Sequence, residues 1–155
     1  MQLHSPLEIF TNIWILSGFL SWMTAQCLKL IGAFKKTGEI DFTYFVSTGG
    51  MPSAHTASMA GVMASVGMTE GFGTAVFAIM FALTGVTMFD ASTVRMAAGK
   101  QAALLNVIVR AIREEHRLPE KPLKELLGHT RFEVFVGMLV GITIGALTTW
   151  CWART

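Results

Sequence analysis

Charged side chains are scarce in this sequence of 155 residues. They make up 14% of the chain, and hydrophobic residues make up 52%, whereas soluble domains carry about 25% charged residues. This shortage argues against a soluble enzyme, a disordered chain and a nucleic-acid-binding protein, which all depend on a charged surface. Much of the apolar surface must face lipid, so the sequence predicts a small multi-pass membrane protein with a single domain over 1–155.

Cysteine is also rare, with two residues in the chain. Cys27 and Cys151 lie in apolar segments that are far apart in sequence, so they form neither a CxxC metal pair nor a disulfide framework. We expect both to be small core residues.

Four apolar segments are candidates for membrane spans, at about 9–31, 53–68, 74–94 and 133–152. About 20 residues are needed to cross the bilayer core as a helix. The second segment is short for a full crossing, and its small residues recur at three- and four-residue steps. Such spacing predicts an interior helix that lets its neighbours approach closely. The predicted fold class is therefore all-α, a transmembrane helical bundle.

A further helix of a different kind is predicted over 97–117. Its apolar residues Ala102, Leu105, Val109 and Ile112 recur at helical spacing between basic residues, which is typical of an amphipathic helix. Two interpretations fit this pattern equally. Either the helix packs on protein with a solvated polar face, or it lies on anionic lipid headgroups.

Basic residues are distributed unequally between the two ends of the predicted bundle. Four spans place the two long loops on one side and both termini on the other. Eleven of the 12 Lys and Arg residues fall on the loop side, a bias typical of the cytoplasmic face. We therefore expect the long loops and the amphipathic helix in the cytoplasm and both termini outside. Arg154 is the exception, and the eleven are Lys29, Lys35, Lys36, Arg95, Lys100, Arg110, Arg113, Arg117, Lys121, Lys124 and Arg131.

Ionisable residues also lie near the predicted membrane boundary on the loop side. Six of them stand at the loop-side ends of the four predicted spans, namely Lys29, His55, Asp90, Arg95, His129 and Glu133. A single residue of this kind is more often a snorkelling charge or a capping histidine. Six at one depth predict a shared site, because ionisable groups in a membrane usually face a bundle interior or a cavity.

The residue types in this cluster suit phosphoryl transfer. Two histidines can divide the roles of nucleophile and general acid, and Glu133 follows His129 by four residues on one helix face. Lys29 and Arg95 add positive charge, and loop 49–53 offers backbone N–H groups to an anion at a helix N-terminus. A metal site is the rival interpretation, but the usual ligand spacing is absent and the cations oppose a metal.

Four sequence blocks carry a resemblance to a known family. They are 49–57 (GGMPSAHTA), 88–95 (MFDASTVR), 99–102 (GKQA) with 105–106 (LN), and 126–134 (LLGHTRFEV). In this order, and over about residues 25–145, the chain resembles the divergent branch of the type-2 phosphatidic acid phosphatase family. That family is related to the vanadium-dependent haloperoxidases.

The resemblance implies a phosphatase that acts on a lipid phosphate without a metal or another cofactor. By analogy with the family, His129 attacks phosphorus to form a phosphohistidine, and Glu133 supports it where the family has Asp. His55 then protonates the leaving alcohol. Ser53 and the loop amides, including that of Gly50, are the implied ligands of the phosphate oxygens.

The chain departs from the family pattern at three places. Lys29 matches the Lys of the first family motif, but no Arg-Pro follows it. Ala54 replaces the Gly of Pro-Ser-Gly-His, and no Ser-Arg precedes His129 at the family's spacing. The candidates for the missing arginine are Arg95, Lys124 and Arg131, and Asp90 is a further site candidate.

Other functions stay open at this point. A non-catalytic protein that binds anionic lipid or a partner through the same pocket is the alternative to a phosphatase. A transporter is a weaker option, because no inverted repeat is visible. Phosphatidic acid, phosphatidylglycerol phosphate and polyprenyl phosphates are all compatible substrates, and nucleic acid is not an expected partner.

Gly137, Gly141 and Gly145 repeat every four residues in the last predicted span. A small-residue face of this kind supports close helix contact. The contact is either intramolecular packing or a homodimer interface.

The predicted orientation can be tested with a single engineered cysteine. In a chain with Cys27 and Cys151 replaced by serine, we expect Lys36→Cys to react with a membrane-impermeant maleimide only after the cells are permeabilised. Arg154→Cys, at the other predicted side, is the matched control and should react in intact cells. Labelling of Lys36→Cys from outside intact cells would refute the orientation.

Overall fold

The computed structural model describes residues 5–38, 50–115 and 128–155. These parts of the chain are helical and contain no β-strand. In these ranges, a 3₁₀ helix at Pro6–Thr11 precedes five α-helices, with a π-helical turn between the third and the fourth. The α-helices are α1 (Ile13–Thr37), α2 (Ala54–Glu70), α3 (Ala75–Phe89), α4 (Arg95–Glu115) and α5 (Arg131–Trp152), and the π turn is Asp90–Val94. The predicted all-α membrane bundle is confirmed.

The first span begins later than predicted. Asn12 caps α1, since its side-chain oxygen accepts hydrogen bonds from the backbone N–H groups of Trp14 (2.9 Å) and Ile15 (3.3 Å). The residues expected at the start of this span belong instead to the 3₁₀ helix, which Ser5 and Glu8 close with a capping box. At 25 residues, α1 is about 38 Å long and exceeds the bilayer core.

Helix α2 lies at the centre of the bundle and packs against α1, α3 and α5. It has 17 residues, which is about 26 Å and short for a complete crossing. Within the described residues, three helical stretches are long and apolar enough to cross a membrane, over Ile13–Lys35, Ala75–Arg110 and Arg131–Trp152. The second predicted span is thus the interior helix, as its small residues indicate.

The helix of the third predicted span continues beyond residue 94. Helix α3, the π turn and α4 form one continuous helical path, because no Pro or Gly stands between Gly85 and Gly99 to stop it. Helix α4 is amphipathic, with Ala102 and Asn106 buried. Its apolar side chains Leu104, Ile108 and Ile112 are exposed, an arrangement suited to a lipid surface.

The three regularly spaced glycines of α5 pack against α2. A Cβ atom added at Gly137 would lie 2.5 Å from the carbonyl oxygen of Ser53, and one added at Gly141 would lie 2.8 Å from Cβ of Ala60. Gly145 meets the backbone of Gly61 in the same way. The face is occupied within the chain, so a homodimer that used these glycines would require α2 to leave them.

The two cysteines are not core residues. Cys27 and Cys151 are free and exposed, and they lie on α1 and α5 among outward-facing apolar side chains. The prediction was wrong because a small apolar residue suits the lipid face of a membrane helix as well as the interior.

Gly141→Ala should destabilise the fold. We expect the free energy of unfolding in detergent micelles to fall by about 1–3 kcal/mol, because the new methyl group meets the backbone carbonyl of Ala57, which cannot yield without separating the helices. Gly85→Ala on α3 is the matched control, since no atom lies within 4 Å of its added Cβ. That control should be neutral or stabilising by up to about 1 kcal/mol, because alanine favours helix. Equal effects of the two substitutions would contradict the packing role of Gly141.

Candidate active site

The first turns of α2 and α5 are tied together at the end of the bundle where the ionisable residues lie. The backbone N–H of Ser53 donates to the carbonyl oxygen of Glu133 at 3.1 Å. Ser53 is fully buried, and its hydroxyl oxygen accepts a hydrogen bond from Thr56 at 3.0 Å. This contact places His55, two residues after Ser53, at the same level as the start of α5.

The π turn holds His129. In this turn the N–H of Arg95 bonds to the carbonyl oxygen of Asp90, one residue further back than in an α-helix. The carbonyl oxygen of Ala91, the acceptor that an α-helix would offer to Arg95, instead accepts the N–H of His129 at 2.9 Å. The backbone of His129 is therefore fixed to the helix that carries Asp90 and Arg95.

Gly128 makes this contact sterically feasible. Its φ angle is +90°, in the region that favours glycine. A Cβ atom at this position would lie 2.5 Å from the backbone nitrogen of Met96. Only glycine lets the chain pass the π turn this closely just before His129.

Glu133 lies behind His129, as its four-residue spacing predicts. Its Oε2 atom is 3.5 Å from Nδ1 of His129, beyond the usual length of an N–H···O hydrogen bond, and this Nδ1 has no hydrogen-bond partner. The same Oε2 accepts the N–H of Thr130 at 2.8 Å, and the Thr130 hydroxyl oxygen accepts the N–H of Glu133 at 3.2 Å. The carboxylate thus caps α5 and faces the imidazole at once.

A cleft of about 430 Å³ opens beside these groups. Four of the predicted site residues line it, His55, Asp90, Arg95 and His129. The cleft lies between α1, α2 and the α3–π segment, and its full lining is Trp22, His55, Ser58, Met59, Val86, Thr87, Asp90, Ala91, Arg95 and His129. The structure therefore brings together residues that are more than seventy positions apart in sequence.

Lys29 completes the cluster from α1. Its side chain is almost completely buried, at 4% exposure, and it interacts electrostatically with His55, His129 and Glu133. Its methylene stem runs beside Gly50, where an added Cβ atom would lie 3.6 Å from Cγ of Lys29. The predicted phosphate ligands Lys29 and Gly50 are thus neighbours.

Of the candidates for the missing family arginine that the structure describes, Arg95 lines the cleft. Its Nε donates to Oδ2 of Asp90 at 2.7 Å, and both side chains are about two-fifths exposed. Arg131 is exposed on the first turn of α5 and does not line the cleft. Lys124 and Gly49 lie outside the described residues. Ser53 does not line the cleft either, and its N–H is already used by Glu133.

Burial lowers the pKa of His129 below its ordinary value of 6.5. The negative charge of Glu133 opposes this effect, and the positive charges of Lys29 and His55 add to it. Burial prevails because removing a charged imidazole from water costs more free energy than the attraction of the neighbouring carboxylate returns. His129 is therefore neutral at pH 7, the form in which an imidazole is a nucleophile.

Sequence reasoning missed the apolar wall of the cleft. Trp22, Met59 and Val86 line it, but none carries a charge that would mark it as a site residue. Helical spacing was the available signal, since Trp22 precedes Lys29 by seven residues and Met59 follows His55 by four. Residues at these spacings share a helix face.

The fold and the site together define a small helical membrane protein with a polar, two-histidine cleft at one end of its bundle. Residues 10–144 match the model of the Divergent PAP2 family, and the chain belongs to that family. This membership confirms the resemblance seen in the four sequence blocks.

A curated relative supports the membrane assignment. The chain is 36% identical over 149 residues to "Uncharacterized membrane protein YuiD" of Bacillus subtilis (strain 168), and the alignment covers 89% of this chain and 94% of the relative. No solved structure matches the chain significantly.

The pKa of His129 gives a direct test of the site's electrostatics. We expect an NMR titration of the His129 imidazole to give a pKa below 6.5. Glu133→Gln should lower it further, because the carboxylate that favours the charged imidazole is lost while the side-chain oxygen can still cap α5. Glu70→Gln, at the far end of α2, is the control and should leave it unchanged. A higher pKa in Glu133→Gln than in the wild type would contradict this electrostatic arrangement.

Proposed function

We propose that the protein is an integral-membrane phosphatase that hydrolyses a lipid phosphate through a phosphohistidine on His129, without a metal. The observation that carries the proposal is that His129 and His55 line one cleft with Arg95, while Glu133 lies behind Nδ1 of His129. A nucleophile, an acid, an orienting carboxylate and a cation are the groups that this reaction requires.

The first step in this proposal is attack by Nε2 of His129 on phosphorus. Nδ1 faces Glu133, which leaves Nε2 as the nitrogen available to the substrate. The N–P bond forms as the bond from phosphorus to the lipid oxygen breaks, and His55 gives its proton to that oxygen. The Glu133 carboxylate stabilises the positive charge on the phosphorylated imidazole.

The second step returns the site to its starting state. His55, now neutral, takes a proton from water, whose oxygen bonds to phosphorus as the N–P bond breaks. Phosphate leaves, His129 is neutral again and His55 is protonated. All proton transfers in this scheme involve one histidine at the cleft surface, where His55 is exposed.

Positive side chains support the proposal of a metal-independent reaction. Arg95 at the cleft and the buried Lys29 can stabilise charge on the phosphoryl oxygens. The same two cations oppose the binding of a divalent metal ion. The missing family arginine is assigned in this proposal to Arg95, which the π turn presents beside His129.

One observation favours the alternative, a non-catalytic protein that binds anionic lipid through the same cleft. Asp90 neutralises Arg95 through their 2.7 Å ion pair, so a bound phosphate must compete with a carboxylate for this guanidinium. In that case Lys29→Ala and Arg95→Ala abolish lipid binding, and no phosphate is released by the wild type.

The charge distribution supports a cytoplasmic location for the site. The cleft lies at the end of the bundle that holds Lys29, Arg95 and the start of α4. Basic residues concentrate at this end, as expected for the cytoplasmic face. A lipid phosphate of the inner leaflet is therefore the proposed substrate.

Purified protein in detergent micelles should release phosphate from phosphatidic acid or another lipid phosphate. We expect the activity to be inhibited by vanadate, to withstand EDTA and to fall at least about 1,000-fold in His129→Ala, which removes the nucleophile. His4→Ala, a histidine that precedes all four predicted spans in the sequence, is the matched control and should retain activity. Full activity of His129→Ala, or its loss in EDTA, would overturn the proposed mechanism.

A further inference from the structure

The cleft continues from the ionisable cluster into an apolar wall. Trp22 of α1, Met59 of α2 and Val86 of α3 form this wall, with Ser58 and Thr87 as its small polar members. We call these five residues the apolar groove. Polar side chains therefore dominate one part of the cleft and apolar side chains dominate another.

The apolar groove lies deeper in the bundle than the ionisable cluster on all three helices. Met59 follows His55 by four residues, and Val86 precedes Asp90 by four on a helix of opposite direction. Each spacing corresponds to about 6 Å along a helix axis. Trp22 precedes Lys29 by seven residues, or about 10 Å, again on the side away from the long loops. A ligand with its charge at His129 would thus extend toward the membrane interior along this wall.

The groove is open on the side that faces lipid. Helices α1 and α3 both pack against α2, and the groove lies between their side chains along α2. Val86 is 65% exposed, and Trp22 and Met59 are partly exposed. Because these lining side chains are exposed, a chain in the bilayer can enter the groove sideways without passing through water.

We propose that the apolar groove holds the first methylene groups of one hydrocarbon chain of the lipid whose phosphate lies at His129 and Arg95. This inference rests on the proposed function and adds the binding site of the lipid tail. The occupant is one chain, because a cleft of about 430 Å³ is near the lower end of the range of small-molecule sites, about 300–1,000 Å³. The remainder of the lipid stays in the bilayer.

The groove acts on the position of the substrate more than on its affinity. A hydrocarbon chain gains little by leaving lipid for an apolar protein surface, since both surroundings are apolar. Holding the chain along Met59 and Val86 nevertheless aligns the phosphate with His129, and alignment of reacting groups speeds a reaction. A change that fills the groove should therefore displace the lipid chain and slow turnover.

Photocrosslinking tests the groove without requiring turnover. The probe is phosphatidic acid with a diazirine on the first carbons of one acyl chain, in phosphatidylcholine nanodiscs that contain the full-length protein. We expect labelled peptides to include Met59 or Trp22, and we expect Val86→Trp to reduce this labelling at least five-fold. Val76→Trp is the matched control, because Val76 is also an exposed valine of α3 and lies about 15 Å from Val86 along the helix. It should leave the labelling unchanged.

The outcomes separate this inference from the proposed function. Groove labelling that Val86→Trp removes, together with phosphate release, supports both. The same labelling without phosphate release supports the groove and overturns the phosphatase. Labelling spread equally over outward residues such as Ile79, or unaffected by Val86→Trp, overturns the groove, whether or not phosphate is released.

Discussion

The close approach of α2 and α5 is the constraint on which the rest of the structure depends. Gly137, Gly141 and Gly145 bring the two backbones into contact, and no other residue would allow the same distance. At the end of this contact the Ser53 N–H reaches the carbonyl oxygen of Glu133. This hydrogen bond sets the register of the two helices, so that His55 at the start of α2 and His129 just before α5 line the same cleft. Catalytic geometry in this proposal is a consequence of the glycine spacing along α5.

The π turn supplies the second constraint. An α-helix through Asp90 and Arg95 would use every backbone carbonyl internally, and the loop that carries His129 would find no acceptor there. The extra residue in the turn frees the Ala91 carbonyl oxygen, and the positive φ of Gly128 lets the chain come close enough to use it. One irregularity thus joins α3, α4 and α5. It also explains why Arg95 lies near His129 although more than thirty residues separate them in sequence.

Much of the fold follows from hydropathy, and the site follows in part from the depth of its charges. The helical bundle, the interior position of α2 and the pairing of His129 with Glu133 were predictable, because helical spacing and span length depend on local sequence. The exposure of Cys27 and Cys151 was not, since in a membrane an apolar residue suits both the core and the lipid face. The π turn was not predictable either, because residue types do not indicate which carbonyl oxygen accepts a given backbone N–H. Ser53 shows the same limit: its sequence block predicts a phosphate ligand, whereas its N–H is used in helix packing.

The charges of the site balance before any ligand binds. The positive charges of Lys29 and Arg95 are opposed by the negative charges of Asp90 and Glu133. The charge of a bound ligand therefore acts mainly on the two imidazoles. Among these residues, Lys29 depends most on its surroundings, because a buried ammonium group needs negative charge nearby, and Glu133 is the carboxylate that acts on it.

A phosphate bound at Arg95 and His55 adds negative charge where the cleft is open, and such a charge favours a protonated imidazole. In the proposed reaction the substrate itself therefore supports His55 as the acid, while burial keeps His129 neutral as the nucleophile. Two histidines of the same chemical type acquire different roles because one is exposed to the substrate and the other is enclosed by the π turn.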